Sequence, residues 1–135
     1  MEDNNEDWRE EPRGSMAQYY PLKGERGEEI LIFTGPPEKT LNDRWVKDNE
    51  PPKVEWHFPA WHGEFTTPIS GQSREVDWEE VLITESGKNF RAALSVFQGV
   101  HGWNKPCVVA WKLRDSKKAK YKAFTITEVV VPNLP

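Results

Sequence analysis

Basic and aromatic side chains interleave through the last third of the chain: Lys88, Phe90, Arg91, Trp103, Lys105, Trp111, Lys112, Arg114, Lys117, Lys118, Lys120, Tyr121, Lys122 and Phe124. That combination is the chemistry of single-strand nucleic-acid binding. Cations neutralise phosphates while flat rings stack on unpaired bases, each stacked base contributing roughly 1–3 kcal/mol. Lys112, Arg114, Lys117, Lys118, Lys120 and Lys122 are the expected phosphate contacts, with Lys88, Arg91 and Lys105 extending the basic surface. Trp103, Tyr121 and Trp61 are the expected stacking rings. The competing reading of the same residues is structural: Trp111 and Phe124 belong to the core, and the lysines keep a sheet edge from pairing with other chains.

The total charge of −4 conceals the asymmetry behind this reading. Residues 1–85 hold 9 Lys+Arg against 20 Asp+Glu, whereas residues 86–135 hold 9 basic residues against Asp115 and Glu128 alone. Such a split points to a polyanion-binding surface joined to an acidic flank. A second constellation, Trp45, Trp56, His57, Phe58, Trp61, His62 and Phe65, sits among prolines in the acidic part. Rings in proline-rich loops make recognition surfaces, and Trp is also highly buried on average, so part of this group is expected to be core. The alternative function it supports is a protein-interaction module, an inhibitor or adaptor, using the Trp- and Pro-rich acidic stretch 36–65. Self-association, which would cover the same aromatics, stays open.

Catalytic and metal chemistry find less. His57, His62, His101 and Cys107 are suitable donors, but their spacing matches no compact ligand motif, and His57 and His62 fall on opposite faces of a strand. Asp77, Glu79, Glu80, Glu85 and Lys88 supply nuclease-type residues in a loose order that reads as a solvated face. Glu85-Ser86-Gly87-Lys88 lacks the earlier glycine and the following Ser or Thr of a phosphate-binding loop. No enzyme activity, cofactor or metal is therefore expected.

The elements that must position these residues follow from periodicity and punctuation. Residues 1–18, acidic and almost without apolar side chains, read as a disordered tail, leaving 19–135 as a single globular domain. Glu29–Thr34 reads as a strand closed by Gly35-Pro36-Pro37. Residues 36–53 read as a loop with a helical turn around 40–46. Val54–Phe58 reads as an edge strand stopped by Pro59, followed by a second loop through Trp61, Gly63 and Pro68. Residues 75–84 fit either period, with a strand favoured at Val81–Thr84. Phe90, Ala93, Leu94 and Phe97 mark a helix at about 86–98, capped by Ser86 and ended by Gly99. Cys107, Val109, Trp111 and Leu113 form the apolar row of a strand, with Cys107 expected in the core. Residues 106–131 as a whole read as a C-terminal hairpin. The expected class is α+β: a β-rich antiparallel sheet or small partly open barrel with one packed helix. A single cysteine excludes an internal disulfide, and no apolar run approaches the ~20 residues of a membrane-spanning helix. The acidic start is unlike a secretory signal, so a cytoplasmic location is expected.

Overall fold

In the computed structural model, residues 17–42, 53–66, 74–85 and 87–135 are described. Among these residues, seven strands and one helix follow in chain order: β1 (Gln18–Tyr20), β2 (Arg26–Phe33), β3 (Glu38–Asn42), β4 (Lys53–Phe65), β5 (Val76–Ile83), α1 (Lys88–His101), β6 (Pro106–Asp115) and β7 (Lys120–Glu128). The strands form one mixed sheet in the order β1-β5-β4-β2-β6-β7, with β3 also paired to β4. Among the described residues, β1–β5 is the one parallel pairing. The class is the α+β, β-rich domain with a partly open sheet that the patterning implies.

Alternation assigns the two faces. Leu31, Phe33, Phe58, Ala60, Val81, Ile83, Cys107, Val109 and Trp111 turn inward and are buried with Phe90, Leu94 and Phe97 of α1. Phe90 is the hub, with ring centroids 5.0 Å from Phe58, 5.3 Å from Phe124 and 6.0 Å from Phe33. The two ends of the strand order curl towards each other: Lys122 Nζ of β7 donates to the Leu22 carbonyl, just past β1, at 2.6 Å. Beyond β7, the Asn133 amide accepts from Val76 N–H at 2.8 Å and donates to Val76 O at 2.9 Å, tying the C-terminal segment to β5.

Several boundaries differ from the sequence expectation, each for a local reason. Gln18, given to the acidic tail, opens β1; residues 1–16 lie outside those described. The expected loop from 36 contains β3, and 43–52 lie outside the described residues. Pro59 does not end a strand: β4 passes through it to Phe65, so Trp61 and Gly63 are in a central strand, not a loop. On this side of β4, β2 pairs with residues 60–63 and β3 with residues 53–57. Pro59 falls at the break between them, where it has no N–H to give and its carbonyl accepts from Thr34 N–H at 3.1 Å and Thr34 Oγ1 at 3.3 Å. Strand β5 begins at Val76, five residues before the favoured strand start.

The helix starts at Lys88 with Gly87 at its N-cap position and no side-chain cap bond; Ser86 lies outside the described residues. It runs through Gly99 and ends at Gly102, whose φ of 75° suits glycine and whose N–H bonds to Gln98 O at 2.8 Å. Asn104 then turns the chain at φ 68°, donating its N–H to Phe33 O at 2.7 Å before β6 begins.

Candidate nucleic-acid interface

The ladder β2–β6–β7 carries the outward basic groups. Lys112 pairs with Arg26 on one side and Ala123 on the other, and Arg114 pairs with Tyr121. These pairs share the face turned away from α1, because Trp111, between Lys112 and Ala110, is buried on the inner face. Ala110, Ala123 and Thr125 floor an open depression of about 500 Å³ bordered by Arg26, Lys112 and Arg114. Glu28 is its one acidic border residue. Small side chains under three cations leave room for a flat or phosphorylated group to approach the sheet.

Gly27 shapes this depression from below. A Cβ built there would lie 2.2 Å from Trp111 Cζ2, so the indole seats directly on the bare backbone. The Trp111 Nε1 donor is buried with no hydrogen-bond partner. Gly27→Ala must push a rigid, packed ring aside and is expected to destabilise the fold by about 1–3 kcal/mol, read as a lower urea midpoint. An unchanged midpoint would show that the indole can shift freely.

The hairpin tip continues the basic surface. Ser116 Oγ donates to Ala119 O at 2.7 Å and accepts from Ala119 N–H at 3.1 Å, closing a tight turn that exposes Lys117 and Lys118. Lys120, opposite Asp115, is exposed but has the strand parity of Lys122 and so belongs to the other face. Tyr121 is 41% exposed, enough for one ring face to meet a base.

The other sequence candidates go elsewhere. Lys122 shares a face with Lys120 and Phe124, opposite to Lys112 and Arg114. Its ammonium is held by the Leu22 carbonyl, with Glu85 4.0 Å away. Lys105 is paired with Glu128 at 2.7 Å, which holds the Glu128 carboxyl below its usual range. Arg91 lies over the Trp56 ring at 5.0 Å, on the helix side of the sheet. Lys88 is exposed at the helix start, and Trp103 is half-buried against the core, bordering a 230 Å³ hollow with Arg91 and Leu94. Trp61 is on the outer face, but its ladder partner is Glu80, and on β2 it pairs with Ile32, six positions past Arg26. Arg26 is the member that sequence reasoning missed. It sits in the acidic part of the chain, and only the β2–β6 register brings it to Lys112.

Histidine and cysteine donors do not converge. Cys107 is fully buried; burial alone pushes its thiol up to about 12, and Sγ donates to Leu31 O at 3.3 Å. His57 pairs with Glu55 at 3.3 Å on the outer face, and His62 with Glu29 at 2.6 Å on the inner one. Tyr20 completes the second group, its hydroxyl donating to Glu29 Oε2 at 2.9 Å and lying 3.2 Å from His62 Nε2. Burial first, then Glu29, pushes the Tyr20 phenol from 10.0 up to about 12, so at neutral pH it is a donor and not a base. Because the folded state holds this proton more tightly, the stability it contributes is complete below pH 10 and is lost as pH rises to about 12. Tyr20→Phe should flatten the fall in urea midpoint across that window; an identical fall in both proteins would assign it to other groups.

Fold and surface thus define a class: a β-rich α+β domain presenting an outward basic patch on a three-stranded ladder. No protein-family model, curated protein or solved structure matches the chain. No helix among the described residues is long and apolar enough to cross a membrane.

Proposed function

We propose that the protein is a non-enzymatic nucleic-acid-binding protein that takes single-stranded DNA or RNA across the outer face of β2, β6 and β7. The carrying observation is the convergence of Arg26, Lys112 and Arg114 around one open depression, with exposed Tyr121 beside Arg114 on the same face, continued by Lys117 and Lys118 at the hairpin tip. Cations beside a ring suit a flexible strand, whose phosphates and unstacked bases can both be reached. The lone thiol of Cys107 and the absence of a disulfide suit a cytoplasmic setting.

The test is fluorescence anisotropy of a labelled mixed-sequence single strand, titrated at two salt concentrations and compared with duplex. Single-strand binding that is tighter than duplex binding and weakens with salt is expected. No binding at low salt would overturn the reading and move the search to protein partners of the 36–65 stretch.

A further inference from the structure

The outer face of β4 carries a second pocket of opposite character. His57, Pro59 and Trp61 project from alternate positions of that strand and border a cavity of about 350 Å³. Its two walls each bring a carboxylate: Glu38, the ladder partner of His57 on β3, and Glu80, the ladder partner of Trp61 on β5. Tyr19 stacks on His57 with centroids 5.0 Å apart, extending the aromatic border.

Two other rings of the sheet each lie under a cation. Lys39 and Arg91 lie over Trp56 at 5.7 and 5.0 Å, and Arg74 lies over Phe65 at 4.6 Å. Trp61, whose ladder partner is Glu80, has no cation over it among the described residues. The electron-rich indole face and both negative charges favour the same kind of guest. They also repel a phosphate, which separates this pocket from the nucleic-acid patch.

From this we infer that the Trp61 pocket is a binding site for the cationic side chain of a basic peptide segment on a partner protein. The ring takes the charged end by cation–π contact beside Glu80, Glu38 adds negative potential from the His57 end of the cavity, and Pro59 and Leu82 pack the aliphatic stem. This site is independent of the nucleic-acid reading.

The probe is the peptide Ac-Gly-Ala-Lys-Ala-Gly-NH2, titrated into the whole chain while the Trp61 indole N–H is followed by NMR, its signal assigned with Trp61→Phe. The Nε-acetyl-lysine peptide, of similar shape but uncharged, is the control. The lysine peptide is expected to shift the Trp61 signal, Glu80→Gln to weaken its binding about five-fold, Glu38→Gln to weaken it less, and the acetylated peptide to leave the signal unmoved. Lys112→Glu with Arg114→Glu should leave peptide binding intact, so failure of one site is distinguishable from failure of the other. Equal response to both peptides, or indifference to Glu80→Gln, would overturn the assignment. So would concentration-dependent self-association abolished by Glu80→Gln, since it would give the pocket to the basic hairpin of a second copy.

Discussion

Replacing Lys112 and Arg114 together by glutamate is expected to weaken single-strand binding about 100-fold at low salt and to lower the salt slope of log affinity by about 1.4. The slope follows from losing two phosphate contacts at about 0.7 each on a single strand, and the reversal adds repulsion from two new anions beside Glu28. Both side chains are exposed and project from the outer face, opposite the packed core, so the urea midpoint should barely move. Lys122→Met makes the contrasting case. Its ammonium bonds the Leu22 carbonyl, so its loss should lower stability while leaving the salt slope of the folded protein unchanged. Equal affinity of the double variant and the parent would remove the β2–β6–β7 patch as the binding surface.

Local signals carried the C-terminal part of the fold and failed in the middle. The alternation of Cys107, Val109, Trp111 and Leu113 is a property of consecutive residues, and it placed β6 and its buried row correctly. The helix was legible through Phe90, Leu94 and Phe97, but its end was not. Gly99 and Gly102 are equal as punctuation, and only the positive φ at Gly102 separates them. Pro59 misled because the consequence of a proline depends on what lies alongside. Here the break between β2 and β3 absorbs the missing donor, a non-local fact. The same limit governs the surface. Summing charge along the chain found Lys112 and Arg114 but grouped Lys122 with them and passed over Arg26. Face and register decide which cations meet, and a one-residue difference in parity sends Lys122 inward.

Phe90→Ala is expected to cost about 3–5 kcal/mol, a large share of the roughly 5–15 kcal/mol that holds a domain together. The ring is fully buried and meets Phe33, Phe58 and Phe124, side chains from β2, β4 and β7, so one truncation leaves a cavity facing three strands. Two of those contacts are edge-to-face, at 86° with Phe58 and 71° with Phe124, geometries that add to simple area burial. Val96→Ala on the opposite side of the same helix, where Val96 is 70% exposed, should stay within about 0.5 kcal/mol. Urea unfolding of the two variants measures the difference. A Phe90→Ala loss under 1 kcal/mol would mean that α1 is not what clamps the curled sheet. Because the basic patch is set by ladder pairing between β2, β6 and β7, the fraction of Phe90→Ala that remains folded should bind a single strand as the parent does. Core and surface are thus separable: the aromatic cluster decides how much protein is folded, and the register decides what the folded protein can hold.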